Sequence, residues 1–486
     1  MSEPHFRSAT ALAAAIRTRE IGCRELLERY LSRVERHNPA LNAIIATDLD
    51  RARQRADGAD AALARGENWG ALHGLPMTVK ESFDVVGMPT TWGLTELKVN
   101  MPTGNAVAVD RLLAAGAVIF GKTNVPVLLA DSQSYNPVYG TTNNPWDLSL
   151  TPGGSSGGAA AALAAGLTGL ELGSDIGGSI RNPAHYCGVY GHKSTYGIAP
   201  PRGQPLPGNV AASDISVICP LARSADDLAL ALGIIAGPDP VEAAGWRLDL
   251  APPRGNALSD YRVAVILDDP NCPVDREVQD ILQGLADFLA GQGVGVSDQA
   301  RSNIDTSHLH AVYIKLLRAA TSRRLTDEIF QRQLETAREL DPGDQSFFAR
   351  VMRANTLHHR DWLAANEERH RLRLKWADFF RDYDLLLCPV AAAAAYPHDH
   401  DQESERWKRT ILVNGRPEPT VNDLFWAGLP GLAYLPATVA PAGLTRKGLP
   451  VGVQIVGPQY GDRSCIAFAQ LLEGAYRSFV PPPNFG

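Results

Sequence analysis

The sequence predicts an α/β layered fold in one large domain, and three observations lead there. Short apolar or β-branched runs recur from Leu75 onward (77–79, 117–120, 263–267, 385–388, 432–437 and 451–456), with helical stretches between them. Strands that alternate with helices build a layered sheet. The composition is globular: 45% of the 486 residues are apolar and 20% charged, enough to bury a large core. No long flexible linker divides the chain, since the Pro/Gly-rich stretches 200–208 and 236–255 and the polar stretch 398–406 read as breaks between elements.

At the N-terminus, residues 8–37 carry Leu12, Ile16, Leu26, Leu27, Tyr30, Leu31 and Val34 at helical spacing. Gly22 reads as a helix stop, so two packed helices are expected. Residues 300–380 are charged and helical, with Leu316, Leu317, Ile329, Phe330, Phe347, Phe348 and Val351 as the expected inward faces.

Charge and cysteine usage exclude several classes. Lys and Arg number 46 against 53 Asp and Glu, a formal charge of −7, which argues against a nucleic-acid partner. Six cysteines (Cys23, Cys187, Cys219, Cys272, Cys388, Cys465) form no C-x-x-C pair, so buried thiols are expected rather than a zinc ribbon or a disulfide framework. The first five residues lack the layout of a signal peptide. The small-apolar run 159–170 is interrupted by Gly166, Thr168 and Gly169 and is shorter than the ~20 residues a membrane span needs. A soluble cytoplasmic protein without a membrane partner is the expectation.

Four motifs bear on chemistry. Gly116-Ala-Val-Ile-Phe-Gly121-Lys122-Thr123 matches a phosphate-binding loop in form, but its middle four residues read as a strand and Asn124-Val-Pro126 obstructs a following helix. Gly153-Gly-Ser155-Ser-Gly157 matches a nucleophile elbow, yet Thr151-Pro152 precedes it and no later His has an orienting context; a Gly-rich turn capping the Ala-rich helix fits the same residues. In Gly173-Ser-Asp-Ile-Gly-Gly-Ser179-Ile-Arg-Asn-Pro183 the backbone N–H groups of Ile176, Gly177 and Gly178 can approach a substrate oxygen, and Ser179 is a candidate acyl-transfer nucleophile. An anion-binding or structural turn satisfies that pattern as well. Lys80 ends the apolar run Leu75-Pro-Met-Thr-Val-Lys80. Exposed, it is a solvated surface group; buried, its pKa falls from ~10.4 toward neutrality and it becomes a base for serine chemistry.

Together these residues resemble the amidase-signature family. The matching segments, in the family's order, are Gly74-Leu-Pro-Met-Thr-Val-Lys80, Gly121-Lys-Thr-Asn124, Tyr139-Gly-Thr-Thr-Asn-Asn-Pro-Trp-Asp147, Pro152-Gly-Gly-Ser-Ser-Gly-Gly158, Gly173-Ser-Asp-Ile-Gly-Gly-Ser-Ile-Arg181, Asp384-Leu-Leu-Leu-Cys-Pro389 and Leu449-Pro-Val-Gly-Val-Gln-Ile-Val-Gly457. The resemblance implies a single α/β/α sandwich with a mixed central sheet over residues 1–486: N-terminal helices in 1–70, the catalytic core in 71–230 and a variable helical region in 300–380. It implies a Ser–cis-Ser–Lys triad of Ser179 as nucleophile, Ser155 as relay and Lys80 as base. The Ile176, Gly177 and Gly178 amides would hold the oxyanion, and Ser156, Asp175 and Arg181 would brace the loops. Neither cofactor nor metal is implied; His398-Asp-His400-Asp401 reads as a solvated polar loop. The implied substrate is a small amide, ester or carbamate, cleaved by the chain acting alone or as a homodimer. Glu81-Ser82 after Lys80 departs from the Asp-Asn common in the A-type component of glutamyl-tRNA(Gln) amidotransferase, the alternative reading, and Cys219 and Cys388 replace a frequent Gly and Thr. The pattern is closer to stand-alone bacterial amidases of the aryl acylamidase or carbamate-cleaving kind. Pocket walls are expected near 130–135, 190–196, 310–350 and 422–426.

Overall fold

The computed structural model describes residues 4–300, 302–400 and 406–486, so Asp401 and the rest of 401–405 in the expected polar break lie outside the described residues. Among the described residues eleven strands form one mixed sheet: β1 (Ile44–Thr47), β2 (Pro76–Lys80), β3 (Val118–Thr123), β4 (Glu171–Asp175), β5 (Tyr190–Lys193), β6 (Val217–Ala222), β7 (Arg262–Val265), β8 (Gly295–Ser297), β9 (Leu385–Pro389), β10 (Ala437–Leu444) and β11 (Pro450–Val456). Their order across the sheet is β1-β3-β2-β4-β6-β5-β10-β11-β9-β7-β8, with helices on both sides. The triples β3-β2-β4 and β9-β7-β8 are parallel, and the strands between β4 and β9 pair antiparallel. This is the α/β/α sandwich with a mixed sheet that the sequence predicts.

Strands β2 to β6 are buried along their whole length, as expected where both faces of a sheet are covered. The helix Gly157–Ala164 is buried on every side, and its Gly and Ala side chains allow it to lie close to β2, β3, β4 and β6. A Cβ on Gly158 would collide with the Asn124 backbone nitrogen, so only glycine fits there. Parallel pairing of Thr78 with Glu171 and of Val79 with Leu172 sets the carboxyl ends of β2 and β4 side by side. Ligands of open α/β sheets bind at such ends.

Several local expectations need correction. The run 432–437 is not a strand: the buried helix Asp423–Leu432 ends in it, Tyr434 turns at φ 65°, and β10 begins only at Ala437. A short apolar run does not by itself separate a buried helix from a strand. Gly22 does not stop the first helix (Ala9–Arg17) but precedes the second (Cys23–Leu41), whose first N–H groups, Cys23 and Arg24, donate to Asp60 at 2.7 and 3.0 Å. Residues 1–70 are not purely helical, because β1 pairs antiparallel with β3. Leu316, Leu317 and Val351 are buried, but Ile329, Phe330, Phe347 and Phe348 are only half-buried. All six cysteines are free and buried. No helix among the described residues is long and apolar enough to cross a membrane.

Candidate active site

Lys80 ends β2 and is fully buried. Its Nζ lies 2.7 Å from Ser155 Oγ, 2.9 Å from Ser156 Oγ and 3.2 Å from Ser174 Oγ. Burial, which penalises the charged form, lowers its pKa to about 7; the charge of Arg324 acts in the same direction, and Asp175 and Glu171 oppose it. At neutral pH a large share of the amine is therefore unprotonated and able to take a proton from a hydroxyl in contact with it.

Ser155 follows a cis peptide bond from Gly154 and precedes the helix Gly157–Ala164. Gly153 at φ +87° makes the turn that a β-branched or bulky residue could not. Ser134 holds this loop, its Oγ donating to Gly153 O at 2.9 Å and accepting from Gly157 N–H at 3.1 Å. Ser156 N–H donates to the Ser179 carbonyl at 3.1 Å and stitches the two serine loops together. Ser155 is sealed off, at 1% exposure, whereas Ser179, at 7%, reaches the pocket. Among the described residues the Ser155 and Ser179 hydroxyls do not hydrogen-bond to each other.

The loop after β4 is organised by Asp175. Its carboxylate accepts from Gly178 N–H, Ile180 N–H and Arg181 Nε, each at 3.0 Å, and from Arg181 Nη2 at 2.8 Å. Burial alone would raise its pKa; the Arg181 guanidinium and these hydrogen bonds outweigh burial and hold it down at about 2. Arg181 also donates to Ala427 O and Gln454 Oε1, and Gln454 in turn contacts Cys388 Sγ. The Gly178 amide thus differs from expectation: it is engaged by Asp175, while the N–H groups of Ile176, Gly177 and Ser179 donate to no protein acceptor among the described residues. Tyr313 fixes this segment from outside by donating to Ile176 O at 2.9 Å.

The pocket above Ser179 is lined by Gly154, Ile176 and Gly177 on the serine side and by Leu317, Arg324 and Leu424 opposite. Residues 130–132 and 423–424 contribute as expected; the stretch 190–196 does not, because it is an interior strand and its exit. The phosphate-loop match is strand β3, with Lys122 buried and donating to Pro89 O at 2.6 Å and Thr90 Oγ1 at 2.8 Å. Glu81 caps the Thr91 and Trp92 N–H groups. His400 stacks on Tyr135 with ring centroids 3.9 Å apart.

The Amidase family model matches residues 25–466. The chain belongs to the amidase family. It is similar to the A-type component of the glutamyl-tRNA(Gln) amidotransferase of Anaeromyxobacter sp. (strain K), at 32% identity over 97% of this chain and 96% of that one. An acylamidase of Rhodococcus erythropolis is 31% identical over 96% and 95%. The solved structure of a bacterial aryl acylamidase of the amidase-signature enzymes superposes with TM-score 0.81 at 25% identity, covering 97% of this chain and 96% of that one. The amidase is accordingly a hydrolase of carbon–nitrogen bonds. Its site includes residues that sequence reasoning missed: Ser174, Gln204 and Tyr313. Gln204 Nε2 donates to Ser174 Oγ at 3.2 Å, one contact removed from Lys80. Their only signal was proximity to the motif in chain or fold, and for Gln204 and Tyr313 the fold alone supplies it.

Proposed function

We propose that this amidase is a free-standing serine amidohydrolase, one domain over residues 1–486, that cleaves a small amide through an acyl-enzyme on Ser179. The observation that carries this reading is the buried Lys80–Ser155 contact of 2.7 Å beneath a pocket onto which Ser179 opens. Neutral Lys80 takes the Ser155 proton as Ser155 takes that of Ser179, and Ser179 Oγ bonds to the substrate carbonyl carbon. The carbonyl electrons move onto oxygen, where the free N–H groups of Ile176, Gly177 and Ser179 stabilise the anion. Collapse of the tetrahedral adduct breaks the C–N bond, and the amine leaves with a proton returned through Ser155. Water, deprotonated along the same chain, then releases the acid and restores Ser179. Asp175, Arg181 and Ser156 keep the two loops in register.

Aryl or alkyl amides are the first substrate class, with esters and carbamates sharing the same tetrahedral chemistry. The similarity to an A-type amidotransferase component favours a second reading, glutamine hydrolysis within an assembly. The two separate on purified chain alone: hydrolysis of anilides such as p-nitroacetanilide without a partner supports the first, and activity on glutamine that needs a partner supports the second.

A further inference from the structure

Arg324, one of two arginines in the pocket wall, has no ion-pair partner among the described residues. Arg324 follows the helix Thr306–Thr321 in a short turn and lines the pocket together with Ser179. Its Nη1 donates to the Leu128 carbonyl at 3.0 Å, and its guanidinium stands 5.1 Å from the centre of the Trp92 ring. Both contacts are to neutral groups. Among the described residues no carboxylate comes within ion-pair distance of it. Arg324 is half-buried, and the loss of water lowers its pKa to about 10 with no acidic neighbour to compensate. The other charges of the wall are differently placed: Asp131 pairs with Arg409 at 2.8 Å, Asp423 accepts from Tyr186 at 3.4 Å, and the Arg318 guanidinium stands 5.7 Å from the centre of the Phe347 ring.

Even partial removal of a guanidinium from water without an anion is costly, and proteins meet that cost by pairing or by function. Arg324 is held by one nitrogen and by one face of its plane, which leaves donors of the guanidinium fork for a planar anion. Its field also reaches Lys80, where it favours the neutral amine. Arg324 and Ser179 line the same pocket, so a substrate seated against Ser179 has the guanidinium in its wall.

We propose that Arg324 anchors a carboxylate carried by the amide substrate, so that this enzyme selects acid-bearing amides over neutral ones of equal size. The inference rests on the reading of Ser179 as the nucleophile and names the substrate class of that same pocket. It concerns binding, and the covalent steps are those already given.

Two matched pairs test it, one charged on the acyl side (glutaryl-p-nitroanilide against valeryl-p-nitroanilide) and one on the amine side (4-acetamidobenzoate against 4-methylacetanilide). In the wild-type enzyme kcat/KM for the acid should exceed that for the neutral partner at least about tenfold in one pair. Arg324→Gln should erase that ratio, chiefly by raising KM for the acid, and Arg324→Lys should restore part of it. With the neutral substrate the acid limb of the Arg324→Gln profile should move to higher pH, since the charge that favours neutral Lys80 is gone. Preference for the neutral member of both pairs in the wild type overturns the proposal, and this result needs no variant to fold. Equal losses on acid and neutral substrates in Arg324→Gln overturn it too. If neither pair is hydrolysed and a fluorophosphonate fails to label Ser179, the reading of the site falls and the anchor with it; labelling with neutral preference sinks the anchor alone.

Discussion

At the scale of single residues, Lys80 is where burial becomes chemistry. A lysine in water is protonated below pH ~10 and accepts nothing. Burying this one at the end of β2 brings its pKa to about 7, against the pull of Asp175 and Glu171. Because the lowered pKa favours the neutral form above it, activity should be present at pH 8 and fall as pH drops through about 7. A pH profile of kcat/KM on a non-titrating anilide checks this. An acid limb near 7 that disappears, together with most of the turnover, in Lys80→Ala is the expected result, and a limb near 5 would point to a carboxylate base instead. The other buried lysines, Lys122 and Lys193, are lowered only to about 8; Lys193 donates to backbone carbonyls and Lys122 to backbone carbonyls and the Thr90 hydroxyl, so neither hydrogen-bonds to Ser155 or Ser179.

At the scale of elements, the loop between β4 and the helix Arg181–Cys187 depends on one buried ion pair. Arg181 and Asp175 are 2.8 Å apart and almost completely buried. Removing one partner leaves an uncompensated charge in the interior, which typically costs about 3–5 kcal/mol. Arg181→Ala should therefore lower the unfolding free energy by about that amount in urea denaturation; a loss under ~1 kcal/mol would mean that water or rearrangement replaces the pair. The same elements show what could be read from sequence. Apolar strands such as β2, β9 and β11 were legible from their patterns. Strands β4 (Glu-Leu-Gly-Ser-Asp) and β5 (Tyr-Gly-His-Lys) were not, because they carry polar side chains whose partners are supplied only by the fold. Glu171, for example, is buried with its pKa raised to about 8 and bonded to Thr78 and Thr123. Local rules fail most readily where a site is built. Arg324 was invisible for a related reason: nothing in a charged helical stretch marks which arginine turns into the pocket.

At the scale of the whole molecule, a mixed sheet brings together segments far apart in the chain. Arg181 touches Gln454, 273 residues away, and Gln133 bonds to Asp399, 266 away. The motif-bearing serines and lysine span only 80–179, yet Tyr313, Arg324 and Leu424 complete the site from the far side. The family and the loops could thus be read from residues, whereas the pocket's charge could be read only after folding. The central claim is that the folded chain, by itself, presents Ser179 as a nucleophile activated through Ser155 and Lys80. The most direct measurement is peptide-level mass spectrometry of the purified protein after reaction with a fluorophosphonate. One adduct on Ser179, absent in Ser179→Ala and strongly slowed in Lys80→Ala, is the predicted result. An adduct on another residue, or labelling of Ser179→Ala at the wild-type rate, would contradict it.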